Sequence, residues 1–145
     1  MFKHILIPTD GSALSTTAIQ NGLQLARDAK AKVTVITVME PFHIFSMDSV
    51  QLAETRSAYA KHAGEAANRC LEEAKRQAEA LGVECEAIPV EHAMPYKAIT
   101  DTAASKECDL IAMASHGRRG AAALILGSET VKVLTHSTIP VLVYR

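Results

Sequence analysis

Apolar residues follow two alternating patterns along this chain. Short apolar or β-branched runs, such as HILIP at 4–8 and DLIAMAS at 109–115, predict strands. Between these runs apolar positions recur every three or four residues, which predicts helices with one buried face. Strands that alternate with helices are typical of a parallel sheet covered by helices on both faces. We therefore predict an α/β fold.

The pattern predicts five strands and four helices. The predicted strands are 4–8, 32–38, 83–90, 109–115 and 139–145; the helices run from the Asp10-Gly11-Ser12 turn to about Lys30, from the 40–52 connection to about Leu81, from Pro95 to about Lys106, and from Ser128 to about Ser137. In the long second helix we expect one face to be buried. Its predicted members are Tyr59, Ala63, Ala66, Cys70, Ala74 and Ala78.

Residue types also predict the order of the strands. The first and fourth strands are almost wholly apolar, as expected for central strands. Glu84, Glu86 and Pro89 place the third strand at an edge, and Pro140 places the fifth at the other edge. The predicted order is 3-2-1-4-5, an open Rossmann-like arrangement. Its switch point lies between the first and fourth strands, where ligands of such sheets bind.

Composition narrows the class of protein. The chain has 145 residues, 48% of them hydrophobic, and we predict a single domain over 1–145. No apolar run approaches the roughly 18 residues that a membrane span needs, and the first apolar run is too short for a signal peptide. Three widely spaced cysteines predict neither a disulfide framework nor a zinc site. We expect a cytoplasmic protein with reduced, largely buried thiols.

Charge excludes further classes. The 15 basic residues nearly balance the 16 acidic ones, so the net charge is -1 and nothing predicts binding to nucleic acid or to an anionic membrane. Among six histidines, His116 is best placed for ligand contact. The others, His4, His43, His62, His92 and His136, show no metal-ligand spacing and are expected at the surface or in packing.

The segment 114–130, ASHGRRGAAALILGSET, carries the strongest functional signal. It leaves a strand, crosses a glycine-bearing loop with Arg118 and Arg119, and enters a helix at Gly127-Ser128. A helix N-terminus has N–H groups without intrahelical acceptors and a partial positive charge, so it favours phosphate. The segment matches neither the Walker P-loop nor the G-x-G-x-x-G fingerprint.

The spacing resembles the ATP-binding members of the universal stress protein family. Their motif is G-x-x-G, nine residues, then G-[ST], and here Gly117 and Gly127-Ser128 meet it, with Ala114 in place of the first glycine. The opening ILIPTDGS, the valine that ends the second strand, the ASHGRRG turn and the closing IPVLVYR are also similar to that family.

The resemblance implies an ATP site, with ADP or AMP as alternative ligands and Mg²⁺ as companion. It implies that Asp10 contacts the ribose or phosphates, that Thr9 and Val38 border the adenine, and that the start of the last helix caps the phosphates. The implied site residues are Pro8, Thr9, Asp10, Val38, Met113, Ala114, Ser115, His116, Gly117, Arg118, Gly120, Gly127, Ser128, Glu129 and Thr130. A carboxylate at Glu129 repels phosphate unless it points away or a cation intervenes.

The resemblance further implies a homodimeric regulator with an unidentified protein partner. The apolar last strand, Val141, Leu142, Val143 and Tyr144, is the implied dimer edge. No convincing hydrolytic base is present, so we expect no more than slow ATP hydrolysis. The alternatives are a dimeric scaffold without nucleotide, an adenylating or pyrophosphatase-type enzyme, and a phosphoacceptor receiver domain.

Two local alternatives also remain open from the sequence. Asp10 is as well suited to capping the first helix as to contacting a ligand. The Phe42, Ile44, Phe45 and Met47 run suits either a lid over the nucleotide or a connection packed on the long helix.

Overall fold

The computed structural model describes residues 1–42, 49–117 and 125–145, without the side chains of 49–52. Five strands and four helices alternate along these ranges. They are β1 (His4–Pro8), α1 (Ala13–Ala29), β2 (Lys32–Met39), α2 (Ser49–Leu81), β3 (Cys85–Glu91), α3 (Pro95–Ser105), β4 (Leu110–Ala114), α4 (Ser128–His136) and β5 (Val141–Tyr144).

The strands form one parallel sheet in the order β3-β2-β1-β4-β5, which confirms the predicted order. The central strands are the most buried. Every residue of β4 is buried, and so are the first four residues of β1. Their near-continuous apolar composition follows from helices on both faces of the sheet. The carboxyl ends of β1 and β4 therefore meet at the switch point.

Two apolar clusters, one on each face of the sheet, form the core. One contains Ile5 and Ile7 of β1 with Leu23 of α1 and Leu71 of α2. The other contains Leu6 of β1, which points to the opposite face, with residues of α3 and α4. Successive side chains of a strand point to opposite faces, so β1 contributes to both apolar clusters.

The buried face of α2 differs from the predicted one. Among the side chains of α2 that the structure describes, the buried ones all lie in its C-terminal half: Ala67, Leu71, Ala74 and Ala78. The prediction was right for Ala74 and Ala78 and wrong for Tyr59, which is 40% exposed. The first half of α2 extends beyond the core, so periodicity there does not correspond to burial.

Both edge strands begin two residues later than predicted. Before β3, the N–H of Val83 donates to Ala78 O at 2.9 Å, so this residue still belongs to the end of α2. Gly82 makes that ending possible because its φ is +67°, in the left-handed region. Before β5, the Ser137 hydroxyl donates to Ile139 O at 2.7 Å and holds a turn.

The thiols and His4 are placed largely as predicted. All three cysteines are free, Cys108 being buried while Cys70 and Cys85 are half-buried. His4 is a packing residue: its Nε2 lies 2.8 Å from Thr34 Oγ1 in the core. Across the described part of the chain, no helix is long and apolar enough to cross a membrane.

Candidate ligand cleft

A cleft of about 370 Å³ lies where β1 and β4 end, at the predicted switch point. Most of the residues predicted for the site line it. They are Pro8, Thr9, Asp10, Val38, Met113, Ala114, His116, Gly117, Gly127, Ser128, Glu129 and Thr130. Ser115 is buried and does not line the cleft. Arg118, Arg119 and Gly120 lie outside the described residues.

Four further lining residues escaped the sequence analysis: Ser15, Glu40, Pro95 and Ile99. Three of them follow the carboxyl ends of other strands, Glu40 after β2 and Pro95 with Ile99 after β3. Carboxyl ends of parallel strands share one edge of a sheet, so the position of these three residues after predicted strands could have indicated that they line the cleft. Ser15 lies in the first turn of α1, and no sequence motif marks it as a ligand contact.

The loop after β1 forms a tight turn that starts α1. The Ser12 side chain is the N-cap and accepts the N–H of Ser15 at 3.2 Å. Asp10 does not cap the helix itself. Its Oδ1 accepts the N–H of Ser12 at 2.9 Å, while Gly11 between them has φ +78°. The alternative of Asp10 as N-cap is therefore wrong, and its carboxylate lies at the cleft.

The start of α4 is fixed to the end of β4 by two hydrogen bonds. Gly127 N–H donates to Ser115 O at 2.7 Å, and the buried Thr130 hydroxyl donates to Ala114 O at 3.1 Å. Thr130 is thus engaged with the backbone of β4. These contacts hold the first turn of α4 against the strand end, with Ser128 exposed at the cleft.

Gly127 allows a close approach between α4 and the loop after β4. Its φ is -62°, which any residue adopts, so conformational freedom is not the reason. A Cβ at this position would lie 3.0 Å from both Cα and Cβ of His116. The helix start and the strand-end loop therefore approach so closely that a side chain here would require His116 to shift by a few tenths of an ångström.

Ala114 fits the cleft without backbone strain. It is the last residue of β4, is 7% exposed, and is not among the described residues with positive φ. Alanine adopts strand conformations readily, so the replacement of the motif's first glycine imposes no left-handed conformation on a side chain.

All four helices begin on this side of the sheet, and the N-termini of α1, α3 and α4, whose first turns are described with their side chains, differ. The N-terminus of α1 is capped by Ser12. That of α3 has no cap from Met94, but the Tyr96 N–H donates to Glu129 Oε2 at 2.8 Å. That of α4 has no side-chain hydrogen bond from its N-cap, Gly127. Its first N–H groups have no intrahelical acceptors and begin at the cleft.

The walls of the cleft combine apolar and acidic groups. Val38, Ile99 and Met113 supply an apolar side. Asp10, Glu40 and Glu129 supply carboxylates, and the described lining contains no lysine or arginine. Such a surface suits a flat apolar ring with hydroxyl groups at one end. Glu129 lines the cleft, but its oxygens have partners in the protein: Oε2 accepts the Tyr96 N–H of α3, and the carboxylate pairs with Lys132 at 3.2 Å.

No group of three or more potential metal ligands occurs within the described ranges. A magnesium ion at this cleft would depend chiefly on a ligand's phosphates and on water, as is usual for nucleotide-bound Mg²⁺. Among the lining residues, Asp10 is the carboxylate nearest to the Gly117 turn.

The connection after β2 is described only in part. Phe42 packs on Tyr59 of α2 with ring centroids 5.4 Å apart, and the Tyr59 hydroxyl donates to Glu40 O at 2.8 Å. These contacts agree with a connection packed on the helix. Ile44, Phe45 and Met47 lie outside the described residues.

The fold and cleft define an α/β protein with a ligand site at the switch point of a parallel sheet. Residues 1–145 match the universal stress protein family, and the chain belongs to that family. It is 31% identical to universal stress protein MJ0531 of Methanocaldococcus jannaschii over 145 residues, which are the whole chain and 83% of that relative. It is 30% identical to universal stress protein YxiE of Bacillus subtilis, with both chains fully covered.

Solved structures of similar proteins share the fold. MJ0577 of Methanocaldococcus jannaschii, a hypothetical protein whose biochemical function was assigned from its structure, is 28% identical with a TM-score of 0.79. That match covers 99% of this chain and 95% of the other. A universal stress protein crystallised in complex with cAMP is also 28% identical, with a TM-score of 0.73 and coverage of 99% and 97%.

Proposed function

We propose that this universal stress protein binds an adenine nucleotide in the cleft between β1 and β4. The observation that carries the proposal is the N-terminus of α4, which starts at the cleft without a side-chain cap, whereas side-chain acceptors engage N–H groups at the starts of α1 and α3. Helix N-termini of this kind bind phosphate. The cAMP complex of a relative supports the choice of a nucleotide.

Each part of a nucleotide has a counterpart in the cleft. The adenine packs on Val38 and Met113. The ribose hydroxyls donate to a carboxylate, of which Asp10 is the best placed because its loop faces α4. The phosphate accepts N–H groups of the first turn of α4 and the hydroxyl of Ser128. ATP is the ligand that the family motif implies, with Mg²⁺ on its phosphates, and ADP and AMP are the alternatives.

Substitution of Ser128 by aspartate tests the proposal without a folding defect. An aspartate in the first turn stabilises a helix by about 0.3–1 kcal/mol. Its negative charge would also lie beside the bound phosphate and repel it, so Ser128→Asp should weaken nucleotide binding by at least about tenfold. Ser128→Asn, which is neutral and of similar size, should change affinity by no more than about threefold. Calorimetric titration measures both; equal affinities in the two variants would contradict a phosphate site here.

The identity of the bound compound can be determined directly. Mass spectrometry of small molecules released from purified protein should detect an adenine nucleotide. The proposed role is that of a regulator in the cytoplasm, whose nucleotide occupancy alters its contacts with a partner protein. For such a protein we expect negligible steady-state hydrolysis of ATP, well under about 1 per second. A faster rate would favour an enzyme.

The proposal includes a homodimer formed through β5. This strand is an edge of the sheet, and its Leu142 side chain is 37% exposed. An apolar edge strand has unpaired backbone groups that a second copy can satisfy. Two copies joined at β5 would extend the sheet across the interface.

A further inference from the structure

We propose that Glu129 makes the cleft select nucleotides with few phosphates over ATP. The inference rests on the proposed function and names a specificity-determining residue within the same site. The carboxylate lies in the first turn of α4, the turn that binds phosphate, yet its oxygens are directed to α3 and Lys132. The Glu129 carboxylate is thereby a fixed negative charge of the protein within the turn that binds phosphate.

Glu129 engages a backbone donor at the start of α3. This helix also begins at the cleft, where Pro95 lines the wall. Its N-cap, Met94, supplies no side-chain acceptor, so the Tyr96 N–H would be available to a second ligand anion. Glu129 Oε2 accepts that N–H at 2.8 Å. The backbone donor that would extend the anion site from α4 towards α3 is therefore already bound by a side chain of the protein.

The described lining of the cleft carries negative charge. Glu129 is accompanied by Asp10 and Glu40 along the lining, and the described lining contains no lysine or arginine. Lys132 pairs with Glu129 at 3.2 Å, and both side chains are substantially exposed, so solvent screens this pair. Each added phosphate brings more negative charge towards these carboxylates. Repulsion grows with the charge of the ligand, so ATP loses more affinity than AMP.

Glu129→Gln separates charge from position. Glutamine keeps an oxygen that can accept the Tyr96 N–H, and it removes the negative charge. In metal-free buffer at fixed ionic strength, this variant should raise the affinity for ATP by about threefold to tenfold more than the affinity for AMP. Glu84→Gln is the matched control, because it removes one exposed carboxylate just before β3, at the opposite edge of the sheet. The control should leave the ratio of the two affinities unchanged.

Titration of ATP, ADP and AMP into the native protein and both variants gives the outcome. A ratio of ATP to AMP affinity that rises in Glu129→Gln alone, with ADP between them, supports the inference. An unchanged ratio, or one that rises equally in Glu84→Gln, overturns it. If native protein and variants bind none of the three nucleotides, the proposed function itself fails. Glu129→Ala, which also removes the acceptor, should show the same rise in ratio together with lower thermal stability.

Discussion

The carboxylate of Asp10 occupies the space that a side chain at Gly117 would need. A Cβ built on Gly117 would overlap Asp10 Oδ2, while Oδ1 of the same carboxylate accepts the Ser12 N–H at 2.9 Å. The two loops that close the cleft therefore meet at this pair. Gly117 is not in the left-handed region, so the glycine serves close approach and leaves Asp10 in place.

Gly117→Ala should reduce nucleotide affinity about tenfold or more with little loss of stability. The methyl group displaces the Asp10 side chain from the cleft, but it meets only the end of a side chain and requires no backbone shift. Stability should change by less than about 1 kcal/mol in denaturant titration. Gly64→Ala is the control, since its Cβ meets nothing within 4 Å and should stabilise α2 by about 0.5–1 kcal/mol. Unaltered affinity in Gly117→Ala would exclude a role for Asp10.

Gly127→Ala should act on the fold more than Gly117→Ala does. Its Cβ lies 3.0 Å from the backbone Cα of His116, so the start of α4 or the strand-end loop must move. Overpacking of this kind costs about 1–3 kcal/mol. Equilibrium unfolding of the two alanine variants, measured side by side, provides the test. A smaller loss at Gly127 than at Gly117 would contradict the packing explanation.

Ala114→Gly should restore the full glycine spacing of the family motif without improving binding. Ala114 lies in a strand with an ordinary backbone conformation, so the glycine relieves no strain. Loss of the methyl group and greater freedom of the unfolded chain should cost about 0.5–1 kcal/mol. Nucleotide affinity should stay within about threefold of the native value in calorimetric titration. A tenfold gain would show that the alanine obstructs the ligand.

Val143→Pro should give a folded monomer. Pro140 O and Tyr144 O accept hydrogen bonds from β4, so alternation directs the backbone of Val143 to the open edge. Proline there removes an outward N–H and leaves the β4 pairing intact. Sedimentation should show a monomer for Val143→Pro and a dimer for both the native protein and the Val143→Thr control, which keeps the N–H. A dimer in all three would place the interface elsewhere.

The stability of the fold should decrease as the pH falls below about 6.5. Burial lowers the pKa of His4 from its ordinary value of 6.5, and Lys32 lowers it further. The unfolded chain binds a proton near pH 6.5 while the folded chain does not until the pH is lower, so acid favours unfolding. Denaturant titrations between about pH 5 and 8 should show this slope. His4→Gln cannot titrate and should have a flatter profile; parallel profiles would contradict the assignment to His4.

Much of the fold could be predicted from the sequence. The apolar runs of β1 and β4 identified the central strands, and Pro89 and Pro140 identified the edges, because burial on two faces and the loss of a backbone donor leave direct marks on composition. The site followed from the same logic, since the glycine and serine that start α4 follow a central strand across one glycine-bearing loop. Errors arose in α2, where a periodic pattern continues beyond the part of the helix that the core covers.

The sequence by itself determined the strand order, the sheet edge that carries the cleft and the start of α4. Tertiary structure decided how the groups at that edge are used. Glu129 caps α3 across 33 positions of the chain, and the glycine at 127 lets His116 lie close to the start of α4. Local patterns report helix periodicity and burial, whereas these contacts depend on how distant segments approach one another, which no short window of sequence contains.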